Sequence, residues 1–192
     1  MILTKKDLRR YLECDRIAIG KKYKKPKMFV DRLWKFQIQY RKLEYYYNNR
    51  KKLLYSILWV FNKLSFVNKC RKMNSEFPIN VIEEGLVIWH GQGIIINGHS
   101  KIGKNFSISR GCVIGQAHDE FPVIGDNVEM CIDSKILGGI KIANNTTIGA
   151  NCLVIKDVTK QGTTLGGVPA KEISTKPNIK MLEKREKMEE LL

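Results

Sequence analysis

The chain has 192 residues, 43% of them hydrophobic, and a formal net charge of +15. That length supports one sizeable core and a small appendage. No run reaches the ~18 apolar residues expected of a membrane span, and the best candidate, Leu53 to Val67, is broken by Asn62 and Lys63. The opening MILTKKDLRRYLECD lacks the apolar stretch and small-residue cleavage site of a secretion signal. Five cysteines without a CxxC pair argue for reduced thiols over a disulfide framework or a zinc site. A cytoplasmic protein with no bound metal is expected.

The charge is unevenly placed. Residues 1–80 hold 21 Lys and Arg against 6 Asp and Glu, whereas residues 81–192 hold 13 of each. The whole excess therefore lies in the first two-fifths of the chain, and the two parts are expected to do different jobs. The expected organisation is a basic helical region over 1–74, a β domain over 75–175 and a helical tail over 176–192.

The first helix is predicted to start at Thr4, which with Asp7 forms a capping-box pattern, and to stop at Gly20. Leu8, Tyr11 and Leu12 share one face of it. The basic connector KKYKKPK follows at 21–27. From about Asp31 to Val67 two further helices are predicted, separated near Asn48-Asn49. Their apolar residues recur at three and four: Leu33, Trp34 and Phe36, then Leu53, Leu54, Ile57, Leu58 and Phe61. The plain reading is a bundle whose aromatics are core and whose lysines face water. A second reading makes the region a grip for an anionic acceptor or for the anionic inner face of a membrane. Trp34, Tyr45, Tyr46, Tyr47 and Trp59 would then rest among the headgroups.

After Pro78 the period changes to six. Ile96, Ile102, Ile108 and Ile114 are followed, after a step of ten, by Ile124, Met130, Ile136, Ile142, Ile148 and Val154. Ten aliphatic residues in ten positions would arise by chance about once in a thousand trials, so the repeat is real. Gly or Ala often comes next (Gly103, Gly115, Gly125, Ala143, Gly149), and small or β-branched residues sit four places on (Ser100, Cys112, Val128, Ser134, Thr146, Cys152). Six residues make one short strand and one tight turn. Three such units close a triangular coil, and stacked coils bury the aliphatics in a column. Asn and Gly suit the corners because they tolerate positive φ. The fold expected is a parallel β-helix.

The period breaks twice. Ile82, Ile88 and Ile94 are out of phase with the later series by two, and the step from Ile114 to Ile124 holds four extra residues. Insertions in repeat proteins tend to lie on a binding face. Each break contains a histidine, His90 in one and His118 in the other.

These hexads, ending in Gly167-Val168-Pro169-Ala170-Lys171, resemble the left-handed β-helix (hexapeptide-repeat) acyltransferases over about residues 75–175. The resemblance implies a left-handed helix, a homotrimer with active sites between subunits, and acetyl-CoA as the donor. The segment EFPINVIEEGLVIWHGQGIIING is similar to the one bearing the catalytic histidine in serine acetyltransferases and capsular polysaccharide O-acetyltransferases, with His90 at that position. Three features depart from the serine-specific pattern. Trp89 stands where an aspartate precedes the histidine, and Ser75, next to Glu76, stands where an aspartate lies fifteen residues upstream. His118 lacks the preceding arginine and is four residues before Pro122. These departures point to a sugar hydroxyl of a cell-surface glycan precursor as acceptor, ahead of serine.

A hydroxyl needs a base to attack a thioester, and an imidazole titrates in the useful range. His90 is the candidate base, in direct transfer without a covalent enzyme intermediate, because no nucleophile–base pair is evident. Backbone N–H groups at the Gly-rich corners are candidate oxyanion donors. His118, beside Asp119 and Glu120, is a candidate second polar contact or acceptor ligand. By resemblance the pantetheine arm would touch Gly115, Ser134, Gly139 and Ala150, and Lys156 and Lys171 would meet CoA phosphates. His99 reads as a solvated corner residue, and the cysteines as packing. The competing functions are serine O-acetyltransferase and a non-catalytic trimeric scaffold. A nucleic-acid partner is not expected, since no recognised motif accompanies the basic residues.

Overall fold

The computed structural model describes residues 1–190. Three helices come first: α1 (Lys5–Ile19), α2 (Arg32–Asn48) and α3 (Leu53–Lys72). In α1 the Thr4 hydroxyl accepts from the Asp7 N–H at 3.1 Å and Asp7 accepts from the Thr4 N–H at 2.8 Å. A cap of this kind stabilises a helix by about 1 kcal/mol. Gly20 closes the helix at φ +80°, a conformation open to glycine at little cost. The pause between α2 and α3 falls at Asn49, while α3 runs five residues beyond Val67. Among the described residues no helix is long and apolar enough to cross a membrane.

From Glu76 the chain coils into a triangular β-solenoid with three parallel faces. The first face stacks Glu76 and the strands Ile95–Ile96, Val113–Gly115, Lys135–Leu137 and Leu153–Val154. The second stacks Ile82, Lys101–Ile102, Val123–Ile124, Lys141–Ile142 and Val158. The third stacks Val87–Ile88, Ser107–Ile108, Glu129–Met130, Thr147–Ile148 and Thr164–Gly166. Register is exact along the repeat: Ile96 pairs with Ile114 and Ile114 with Ile136, as Ile108 pairs with Met130 and Met130 with Ile148. All ten repeat positions are buried in the column. The residues four places on, Ser100, Cys112, Val128, Ser134, Thr146 and Cys152, are buried beside them. Each face therefore contributes two inward side chains per coil.

The corners follow from backbone conformation. Asn105, Asn127 and Asn145 stack at the second-to-third corner with φ of 53°, 56° and 62°. Their amides form a ladder, Asn105 donating to Asn127 at 3.0 Å and Asn127 to Asn145 at 2.7 Å. Asparagine serves here because it tolerates the left-handed region and carries both a donor and an acceptor.

Ile82 and Ile88 lie in the column, so the first coil is complete, and the two extra residues are accommodated at the corner containing His90. The core then continues without interruption into Phe77, Phe36, Tyr40, Phe66 and Leu43, so the aromatics of α2 and α3 close the lower end of the column. At the other end GVPAK makes the bend of a hairpin, and Lys171–Ser174 returns antiparallel along Thr164–Gly166. The tail forms α4 (Ile179–Glu189), which returns to α1, where Met188 packs with Cys14, Ala18 and Val87. The last two positions of the helix expected to reach Leu192 lie outside the described residues.

A buried ionic cluster fixes the helical region to the first coil. Arg41, fully buried, donates to Asp15 at 2.8 Å, to Glu44 at 3.1 Å, and to the carbonyls of Ile82 and Glu83, both at 2.7 Å. Asp15 also accepts from the N–H groups of Gly85 and Leu86. Burial pushes the Glu44 carboxyl up, against the opposing charge of Arg41.

Candidate active site

His90 occupies the corner between the third and first faces, following the strand Val87–Ile88. The corner is tied down by backbone bonds. Trp89 N–H donates to Ile108, Gly93 N–H to Met73 at 2.9 Å, and Gly111 N–H to Gln92 at 3.0 Å. Ser75, which stands in place of the upstream aspartate of the serine-specific pattern, acts on this backbone. Its buried hydroxyl lies 2.7 Å from the Gly91 carbonyl and 2.9 Å from that of Met73, and accepts from Ile94 N–H. Gly91 is closely approached, a Cβ there coming within 2.9 Å of the end of the Leu33 side chain and 3.0 Å of the Met73 sulfur.

The His90 side chain is exposed and lines a cavity of about 600 Å³ between this corner and the helical region. Arg32, Leu33, Trp34, Gln37 and Lys72 form the opposite wall. The acid in the lining, Asp31, is occupied: it accepts from Lys21 at 2.6 Å, from the Tyr23 hydroxyl at 2.7 Å and from Lys27 N–H at 2.8 Å. Lys21 foremost, against burial, holds the Asp31 carboxyl down at about 2. Arg32 and Lys72 have no carboxylate partner within ion-pair distance among the described residues, so the cavity is cationic. Trp89 also borders the cavity, and its indole donates to Ser107 at 2.9 Å beneath the Lys184 ammonium.

The two histidines are not brought together within one chain. His118 lies in the four-residue insertion at the first-to-second corner, exposed and at φ 54°. Ala117 and Glu120 bridge across that loop, folding it back on the coil above.

The residues expected along a pantetheine arm divide. Gly115, Gly139 and Lys156 follow the first face, at the same edge of the column as His118, while exposed Ala150 is at the His90 edge, three coils further along the column. Ser134 departs from the expectation. It is fully buried and its hydroxyl donates to Cys131 at 2.7 Å, because every fourth residue after a column aliphatic turns inward. The space beside two of the glycines is taken by the chain itself: a Cβ at Gly139 would meet Glu120 at 2.5 Å, and one at Gly115 would meet Leu137 at 2.9 Å. Lys156 and Lys171 do converge, on a hollow of about 420 Å³ at the hairpin end, where Lys160 is paired with Glu172 at 3.0 Å. That leaves two exposed ammonium groups around one cavity, beside the Asp157 carboxylate that accepts from Lys141 N–H at 2.8 Å.

His99 is an exposed corner residue, as expected, with its ring tilted against Phe121. The cysteines are packing residues: Cys112 and Cys152 are buried in the column, and burial raises the Cys131 and Cys152 thiols. What the sequence did not reveal is the wall of the His90 cavity. Arg32 and Lys72 are distant in sequence from the hexads, and only the concentration of charge in residues 1–80 hinted at a role.

The fold is a triangular parallel β-solenoid built from hexads, the architecture it shares with solved serine acetyltransferases. In sequence, too, the chain is similar to serine acetyltransferases. It is 42% identical over 92 residues to the serine acetyltransferase of Staphylococcus epidermidis, a match covering 46% of this chain and 43% of that protein. With that of Staphylococcus aureus it is 39% identical over 89 residues, covering 44% and 42%. The match thus spans less than half the length of these curated relatives. Among solved structures, Neisseria gonorrhoeae serine acetyltransferase in complex with serine superposes with a TM-score of 0.65 at 22% identity, over 88% of this chain and 70% of that one. The Brucella abortus enzyme in complex with coenzyme A gives 0.66 at 20% identity, over 90% and 70%. No family model matches the chain.

Proposed function

We propose that the protein is an acetyl-CoA-dependent O-acetyltransferase in which His90 is the general base. The observation that carries this reading is an exposed histidine at a backbone-pinned corner of a hexapeptide-repeat β-helix, facing a cavity large enough for an organic acceptor. The acceptor hydroxyl loses its proton to the imidazole as its oxygen attacks the acetyl carbonyl. The C–S bond breaks, and the proton passes to the departing CoA thiolate. Lys156 and Lys171 would hold CoA phosphates, a role supported by their shared hollow. The small residues expected beneath pantetheine give less support, since Gly115 and Gly139 are packed by Leu137 and Glu120.

The names of the relatives put L-serine ahead of the sugar hydroxyl as acceptor, reversing the order drawn from the sequence. A specific observation keeps the sugar as a second reading. Trp89 and Ser75 replace the two aspartates of the serine pattern, and the one acid lining the cavity, Asp31, is held by Lys21 and Tyr23. Among the described residues no other carboxylate lines the cavity to take a substrate ammonium. Incubation with acetyl-CoA and a panel holding L-serine and free, nucleotide-linked and lipid-linked sugars, read as CoA release and product mass, tests both. O-acetylserine formation selects the first reading and sugar acetylation the second. Absence of any CoA release across the panel rejects the enzyme.

The active unit is proposed to be a homotrimer. His90 and His118 lie at different corners of one column, and a neighbouring copy offers a way for such corners to meet. Light scattering that finds an active monomer would reject this.

A further inference from the structure

The first three turns of α3 are apolar on both sides, with Tyr55, Leu58 and Trp59 half-buried on one side and the other side open, and the core contact lies further along the helix. Phe66 and Cys70 face the core. Leu53, Leu54, Ile57, Val60, Phe61 and Leu64, spaced at three, four and seven, form a continuous outward stripe with exposures from 44% (Val60) to 79% (Leu53). A helix apolar all round normally lies inside something. A second apolar prominence stands nearby. Met28, Phe29 and Val30 project from the loop before α2, Phe29 at 92% exposure, and the loop shares a groove with Lys69, Lys72 and Met73 at the end of α3.

The surroundings of this surface are cationic. Between Glu44 and Glu76 the chain has no acidic residue but carries Arg50, Lys51, Lys52, Lys63, Lys69, Arg71 and Lys72. The loop adds Lys22, Lys24, Lys25 and Lys27. Apolar side chains flanked along the chain by ammonium and guanidinium groups suit the boundary layer of an anionic bilayer, where hydrocarbon lies below and phosphate above. A second copy docked face to face would set these cations against their equals. A nucleic acid would leave six aliphatic and aromatic side chains unburied.

We propose that α3 and the Met28–Val30 loop form a peripheral docking surface for anionic membranes. α3 lies in the plane of the headgroups, Leu53, Ile57, Phe61 and Leu64 enter the acyl boundary, and the lysines meet lipid phosphates. The aromatics named from the sequence are not the anchors. Trp34 and Tyr45 are buried, Trp34 near Tyr23 and Tyr45 against Tyr46 and Tyr55, while Tyr47 packs on Trp59. The loop and Lys72 also border the His90 cavity through Val30, so the docked protein would present that cavity near the membrane.

The test is flotation of the full chain with vesicles of phosphatidylcholine alone or with phosphatidylglycerol added. Binding to the anionic vesicles is expected to be at least about tenfold stronger, and to weaken about tenfold between low and high salt. Phe61→Glu with Leu64→Glu should reduce it by a further tenfold or more while leaving the circular dichroism spectrum unchanged, since both side chains are exposed. Lys51→Gln with Lys52→Gln should reduce the anionic preference alone. Equal, negligible binding to both vesicles overturns the proposal. So does wild-type protein whose oligomer is split by the Phe61 and Leu64 substitutions, which makes the face a contact between copies. Salt-sensitive binding to single-stranded oligonucleotide that outcompetes the vesicles overturns it as well.

Discussion

The column and the helical region are built from similarly apolar sequence but spend it differently. In the column each aliphatic has a fixed address: Ile114 lies between Ile96 and Ile136 because parallel strands in register leave it no other neighbour. In the helical region the same residue types have no such constraint. Leu43 and Phe66 plug the column, while Leu54 and Phe61 of equal hydrophobicity face outward. Repetition makes burial predictable from the sequence, whereas a single helix pair leaves it to the docking angle. The charges divide in the same way, with a balanced column and all the net positive charge on the part that presents a surface.

The sharpest way to probe this division is at the corner where the two regions meet. His90→Ala should lower acetyl transfer by about 10²–10⁴ while the fold persists, as expected for loss of a general base. Steady-state kinetics on a folded variant checks it, and retention of more than half the turnover would remove His90 from the reaction. Arg41→Met should then separate the regions. It strands Asp15 and Glu44 without their buried counter-charge, at a cost of about 3–5 kcal/mol. Denaturant melts followed by limited proteolysis should show α1 and α2 cut first while residues 95–170 resist. A single concerted loss of both parts would mean that the column cannot stand without its plug.

Within the column, Ile136→Ala should destabilise by about 2–5 kcal/mol, since the stack above and below it cannot close over the cavity. Leu64→Ala on the outer stripe of α3 should change stability by no more than about 0.5 kcal/mol. Matched urea curves for the pair measure the contrast directly, and equal losses would show that the stripe is covered in solution. The smallest effect is the acid response of the loop. Asp31 is held at about 2, below its ordinary value of 3.8, first by the hydrogen bond from Lys21. A depressed carboxyl contributes stability that is complete above its unfolded value and is lost as pH falls from about 4 through about 2. Asp31→Asn should flatten that part of the pH–stability curve, and an unchanged acid limb would count against the Lys21 contact.

Much of the molecule was legible before folding because its determinants are local or periodic. Thr4 and Gly20 announce the ends of α1, and the hexads announce coils, inward faces and even the insertion at His118. The break in phase near Ile88 flagged the His90 corner, because an extra two residues must bulge from a stack that is otherwise in register. The sequence by itself therefore determined the column, its order and the addresses of both histidines. The tertiary structure alone decided what faces them. Arg32 and Lys72 reach the His90 cavity only after α2 and α3 dock on the first coil. The Arg41 cluster likewise joins Asp15, Glu44, Ile82 and Glu83, residues with no pattern linking them. The stripe from Leu53 to Leu64 turned outward for the same reason, whereas Ser134 turned inward by the rule of the repeat. Burial is a relation between elements, and a sequence specifies it in advance only where the elements repeat.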